Sequence, residues 1–299
     1  QGVRAGSELE SWTNPILAVP DSLNNLSCAA FEGATNLQGF SVKESNPNFV
    51  VDAAGALLNK ETGALEVWPC GSLTTNYTIP EGTKTIGIHA FYGSKNLQEL
   101  TVASSVTSTN GSSISNCPNL ERVIFLDSKN GLEGGNYMLS ENPKLTYVRL
   151  PNGMTKLGLR TFENDVSLRE IELPGTLTTI GSFLFNGCTG LETVRIGEGV
   201  TQITWSMLKN CKEVKHVTIP SSVSYIETDP RYLPFLGCTS LENITVDGRN
   251  RYYKDIDGVL MTADGSTLIY YPEGKQAAAY QIPEGTVRIA SNAFYNNLN

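Results

Sequence analysis

The segment Leu168-Arg-Glu-Ile171-Glu-Leu173-Pro174-Gly-Thr-Leu177-Thr-Thr-Ile180-Gly-Ser-Phe-Leu-Phe185-Asn-Gly-Cys188 decides the fold. Leu168, Ile171 and Leu173 are separated by charged residues, the pattern of a strand with one face buried. Pro174-Gly175 then turns the chain, and Leu177, Ile180 and Phe185 put apolar side chains on a returning side. A segment this short cannot bury two apolar sides against itself. It needs a neighbour of the same kind above and below.

Working outward, the strand-ending pairs Ile79-Pro80, Val102-Ala103, Phe125-Leu126, Leu150-Pro151, Leu173-Pro174, Ile196-Gly197 and Ile219-Pro220 recur at spacings of 23, 23, 25, 23, 23 and 23 residues. A second apolar position follows at Phe91, Ile114, Leu139, Phe162, Phe185 and Leu208, and a third at Leu97, Leu120, Leu145, Leu168, Leu191 and Val214. Phe31, Leu37, Phe235, Leu241 and Phe294 extend the columns toward both ends. Two longer blocks interrupt the period. Residues 43–78 match residues 246–281 at a shift of 203, with Gly55 answering Gly258, Leu65 answering Leu268 and Pro69 answering Pro272. Each block is expected to hold a β-hairpin insertion, from strands at 56–59 and 65–68 and at 259–262 and 267–271. A smaller insertion at 228–234, with two prolines, is expected to form a surface bulge.

The stretches Ile79-Pro-Glu-Gly-Thr-Lys-Thr-Ile86 with Ala90-Phe91, Ile219-Pro-Ser-Ser-Val-Ser-Tyr-Ile226 and Phe185-Asn-Gly-Cys188 resemble the BspA-like leucine-rich repeat of bacterial surface proteins. The resemblance runs from about residue 28 to 299. It implies a β-rich leucine-rich-repeat solenoid, right-handed, with repeats of about 23 residues. The expected organisation is an N-terminal segment or cap over 1–27 and a single solenoid over 28–299. The same resemblance implies a secreted or cell-surface location and a role in adhesion to host proteins or to other cells. Two coils depart from the pattern, one with Ile114 in place of Phe and one, 130–142, without an Ala-Phe pair or cysteine, and these are expected to pack less tightly.

Composition narrows the partners. The formal net charge is -8 and only 17% of residues are charged, so a basic stripe for nucleic acid or anionic lipid is missing. No apolar run reaches the roughly 20 residues that span a bilayer. Residues 1–10 lack the basic and apolar regions of a signal peptide, and the chain stops soon after Phe294, where a short or missing cap is expected.

Little in the sequence promises chemistry. Cys117, Cys188, Cys211 and Cys238 each follow the second apolar position by three residues, so stacking aligns them as small buried residues, the preferred reading over a metal site. Cys28 and Cys70 lie outside that column, and sequence leaves both a bridge and two free thiols open. His89 and His216 occupy different repeat phases, which gives neither a triad nor a zinc ligand set. Asp255-Ile-Asp257-Gly258 and Asp264-Gly265 are read as turns, because the remaining ligands of a calcium loop are missing. The expectation is a noncatalytic chain with no cofactor and no metal.

Binding is expected on the strand face, where residues between the apolar positions line up from coil to coil. The candidates are Glu99, Arg122, Tyr147, Arg149, Glu170, Glu172, Arg195 and His216, facing an extracellular protein or glycan. A spacer with no selective ligand is the competing expectation, and an enzyme ranks last. A second aromatic group, Trp68 and Tyr77 with Tyr252, Tyr253, Tyr270, Tyr271 and Tyr280, either packs the inserted blocks or forms an adhesive patch. Because Leu168 serves two coil interfaces, Leu168→Ala is expected to lower the unfolding free energy by about 2 to 5 kcal/mol in urea denaturation. A loss below about 0.5 kcal/mol, the range of surface substitutions, would place Leu168 outside the stack.

Overall fold

Each coil begins with a front strand whose inward residues are buried and whose outward residues face solvent. In Glu170–Leu173 the alternation is complete: Ile171 and Leu173 are buried, Glu170 and Glu172 exposed. A Pro- or Gly-containing turn leads to a short back strand, Thr179–Ile180 in that coil. The chain then passes through a corner loop carrying the buried aromatic Phe185 and returns to the front through Leu191. This repetition makes the protein a β-solenoid. The computed structural model describes residues 15–26, 28–277 and 279–297, and the side chains of all of these but Cys28 and Ala29.

The chain divides into two compact units, one ending at Met154 and the other beginning at Thr155. In the first, Asn76–Thr78, Glu99–Val102, Arg122–Phe125 and Tyr147–Arg149 form a parallel front sheet. Ala64–Val67, Thr85–Ile86, Ser108–Thr109 and Leu132–Glu133 form its back wall. Ahead of them Ile16–Val19 pairs in parallel with Gly39–Val42. Of the expected N-terminal cap over 1–27, residues 1–14 and 27 lie outside the described residues. In the second unit the front strands pair as Glu170–Leu173 with Thr193–Ile196 and His216–Ile219 with Asn243–Val246. Gln202–Ile203 and Tyr225–Ile226 pair on the back.

The two long blocks are built alike, and differently from a hairpin standing off the wall. Leu57–Asn59 pairs antiparallel with Ala64–Val67, but a further strand, Phe49–Val51, joins Leu57–Asn59 to make a three-stranded meander. The second block repeats this with Tyr253–Ile256, Val259–Thr262 and Thr267–Tyr270. In both, the last strand then pairs in parallel with the back strand of the next coil, Thr85–Ile86 or Arg288–Ile289. Each block is therefore part of the wall. Asn46 and Asn250 start the meanders in the same way, with Oδ1 accepting the N–H groups two and three residues on and Nδ2 donating to the carbonyl of Pro20 or Pro220. At Asp257 and Gly258 φ is +52° and +76°, which a two-residue primed turn requires, in accord with the turn reading of this acidic stretch.

The corner loops hold the coils in register. Two left-handed residues flank most of the core positions: His89 and Gly93 around Phe91, Ser112 and Asn116 around Ile114, Phe183 and Gly187 around Phe185. Asparagine recurs here, at Asn116, Asn164, Asn210, Asn292 and Asn296, because it tolerates this conformation better than other side chains with a Cβ. The conformation turns three alternate N–H groups toward the following coil. His89, Phe91 and Gly93 donate to the carbonyls of Gly111, Ser113 and Ser115, and Phe183, Phe185 and Gly187 donate to those of Trp205, Met207 and Lys209.

The expected looser packing at Ile114 and 130–142 is not found, since Ile114, Met138 and Leu139 are buried as completely as Phe91. Asn142 accounts for it. It takes the place of the column cysteine, donating from Nδ2 to the carbonyl of Ile114 and accepting the Cys117 N–H at 2.9 Å. The cysteines do the same with a thiol. Cys117, Cys188, Cys211 and Cys238 donate to the carbonyls of Phe91, Phe162, Phe185 and Leu208 one coil earlier, at 3.1, 2.8, 3.2 and 3.0 Å. The column is thus a line of donors as well as of small buried residues. A hydrogen bond of this kind is worth about 1 kcal/mol. Cys211→Ser, which keeps a donor, is expected to melt at a higher temperature than Cys211→Val; the reverse order would leave volume as the only requirement.

Candidate binding face

The front sheet of the first unit brings three of the sequence candidates into one row. Register sets Asn76, Glu99, Arg122 and Tyr147 side by side. The Arg122 Nε lies 3.4 Å from Glu99 Oε2, and its guanidinium carbon sits 4.3 Å over the Tyr147 ring. Carboxylate, guanidinium and ring are therefore stacked in sequence on a rigid sheet. Arg149 belongs to the neighbouring row, opposite Ile124, but its guanidinium turns off the face. It forks onto both oxygens of Asp127 at 2.9 Å and donates to the Phe125 carbonyl at 2.9 Å. Asp127, which the Asn152 N–H and then Arg149 hold below the usual carboxylate range, was not among the sequence candidates. The available signal was the single spacing of 25, which marks a longer turn after Phe125.

In the second unit Glu170 faces Thr193 and Glu172 faces Arg195, yet the Arg195 guanidinium reaches diagonally to Glu170 at 3.5 Å. His216 is exposed opposite Asn243. These exposed pairs stabilise little and leave the groups open to solvent.

The aromatics of the long blocks mostly pack. Trp68 is buried against Tyr77 and Phe91, with ring centroids 4.3 and 5.8 Å away, and Tyr77 donates to Asp52 at 2.6 Å. Tyr270 and Tyr271 are buried, Tyr280 packs edge-on against Tyr271, and the Tyr253 hydroxyl accepts the Ile226 N–H. Only Tyr252 is largely exposed.

The thiols are poor nucleophiles. Burial pushes Cys70 up to about 11 and raises Cys188, Cys211 and Cys238 well above the ordinary thiol value. Cys70 is a free thiol lying between the carbonyls of Phe31 and Tyr92. His89 pairs with Glu32 and packs on Tyr92. Among the described residues no group of three or more His, Cys, Asp or Glu side chains could hold a metal ion.

Parallel coils of this length, closed by an aromatic corner, define a leucine-rich-repeat solenoid. The sequence profile of the BspA-type leucine-rich repeat region matches residues 69–168 and 155–255, with six copies, and the chain belongs to that family. No curated protein matches the sequence. Solved structures with the same fold include a leucine-rich repeat protein from Eubacterium ventriosum (22% identity, TM-score 0.65, covering 75% of this chain and 58% of the other). A leucine-rich cell surface protein from Faecalibacterium prausnitzii is similar too (24%, 0.59, 83% and 66%). So is the pneumococcal vaccine antigen PcpA (22%, 0.54, 86% and 62%). This chain spans less than two thirds of the length of each. Among the described residues no helix is long and apolar enough to cross a membrane.

One buried carboxyl offers a pH handle. Glu273 accepts the Gly237 N–H at 2.7 Å through Oε1, while its buried Oε2 has no partner among the described residues, and burial raises its pKa. The folded state therefore holds this proton to higher pH than the unfolded chain, and stability falls as pH rises from the unfolded value through the raised one. Glu273→Gln does not ionise. Its melting temperature minus that of the wild type is expected to grow more positive from pH 4 to pH 7; a constant difference would show that Glu273 titrates alike in both states.

Proposed function

We propose that the chain is a noncatalytic binding module displayed outside the cell, and that the front sheet of its first unit grips an extracellular partner, a protein. The observation that carries this reading is the Glu99–Arg122–Tyr147 row. Arginine and tyrosine are, with tryptophan, the side chains enriched among those that dominate protein interfaces, and here an exposed Arg122 is already stacked on a half-buried Tyr147, so little side-chain freedom is left to lose on binding. Family membership supports the location, as do the printed descriptions of two structural relatives, one a cell surface protein and one a vaccine antigen. In the second unit, considered by itself, Glu170, Glu172, Arg195 and His216 are exposed and open to the same kind of contact.

The test is a screen of the purified chain against arrays of host matrix proteins and bacterial envelope components, repeated with Arg122→Ala and Tyr147→Ala. A selective hit weakened on the order of 10-fold or more by either change is the expected result. A hit that both variants retain would move recognition off this face. Silence of the folded wild type across the arrays would favour a spacer.

A further inference from the structure

We propose a second recognition site, on the corner side of the second unit, where Trp205 stacks against the apolar face of a neutral pyranose sugar. Trp205 is 45% exposed, although burying an indole would contribute more than burying most side chains. Its ring lies on that of Tyr232, with centroids 5.0 Å apart and planes 11° apart. The carbonyls of Ser182, Trp205 and Tyr232 accept the corner N–H groups of Arg160, Phe183 and Ser206, so these three residues hold the same place on successive coils. Tyr232 therefore backs one face of the indole. Toward the preceding coil the same place holds Ser182, which is too short to cover the other face, and among the described residues Trp205 has no ring partner besides Tyr232.

The aromatic pair is fixed in position. Tyr232 belongs to the insertion at 228–234, a departure from the 23-residue period that adds no core residue before Leu233. Glu227 Oε1 accepts the N–H groups of Thr228 and Asp229 at 2.9 and 2.7 Å, and Asp229 Oδ1 accepts that of Arg231 at 2.9 Å. Asn292 donates to the Pro230 carbonyl at 3.2 Å. Phe183 meets Tyr232 edge-on at 6.3 Å.

Charge and spacing select the ligand. The two cations that touch these rings are both neutralised: Arg160 lies over Phe183 and pairs with Glu163 at 2.9 Å, and Arg231 lies over Tyr232 and pairs with Asp229 at 2.7 Å. Neither of these two arginines is left without a counter-charge to offer a charged ligand. Adjacent coils are about 4.8 Å apart, close to the 5.0 Å between the Tyr232 and Trp205 ring centroids, so a sugar ring above Ser182 continues the stack Tyr232–Trp205 by one step. Its C–H face meets the electron-rich indole face, and the Ser182 hydroxyl and the open edge of the corner leave its hydroxyls hydrated or hydrogen-bonded.

The experiment titrates the full chain with neutral hexasaccharides of glucose and xylose in several linkages. It follows acrylamide quenching of tryptophan fluorescence, with Trp205→Phe separating the Trp205 signal from those of Trp12 and Trp68, and it measures binding to wild type and variants alike by titration calorimetry. At least one neutral oligosaccharide is expected to shield Trp205 from acrylamide. By calorimetry Trp205→Ala abolishes that binding while the protein stays folded, Trp205→Phe retains part of it, and Tyr147→Ala leaves it unchanged, which separates this site from the front sheet. The proposal is overturned if no neutral sugar shields Trp205, if Trp205→Ala binds as tightly as wild type, or if only charged polymers or proteins shield the indole.

Discussion

The hydrogen bonds between coils are the constraint on which everything else depends. A coil of about 23 residues has no interior of its own, so each apolar column and each polar row exists only where the next coil arrives in register. The front strands supply part of that register, and the corner supplies the rest through alternate N–H groups aimed at the following coil. Holding non-glycine residues in the left-handed region costs about 1 kcal/mol each. The ladder of donors and the buried aromatic between them offset that cost. Every exposed arrangement described above, from the Glu99–Arg122–Tyr147 row to the Trp205–Tyr232 pair, inherits its spacing from this ladder.

The solenoid and its front columns were legible in the sequence because burial acts on one residue at a time and repeats. Leu168, Ile171, Leu173 and Phe185 carry their role in their type and spacing. The polar rows were only half legible. Period placed Arg149 on the face, but a guanidinium goes where its donors are satisfied, and Asp127 stood two residues past the strand in an irregular turn. Arg195 likewise bypasses its direct neighbour for Glu170. Long side chains choose partners by geometry that a one-dimensional pattern does not contain.

The cysteine column teaches a related lesson. Cysteine is apolar enough to be read as filler, but Asn142 and Ser94 stand at the same place in their coils. With the coils in place all of them serve a polar role beside a core carbonyl or turn. The two duplicated blocks were visible as a shift of 203 residues, but their third strands were not, because Phe49–Val51 and Tyr253–Ile256 are short and half buried and differ in sequence. Asn46 and Asn250, which set the turn chemistry of both blocks, lie 204 residues apart and so fall out of step with that shift.

The direction of the corner bonds has a mechanical consequence. Within each unit they run along the stacking axis, and so do the bonds between parallel strands. A pull along that axis therefore loads them one coil after another, in series, instead of shearing a whole sheet at once. Each yielding coil would pay out about 23 residues of chain, or about 75 Å at full extension, while its neighbours stay folded. A chain of this design lengthens under tension in steps and absorbs work without losing the coils that still hold their shape.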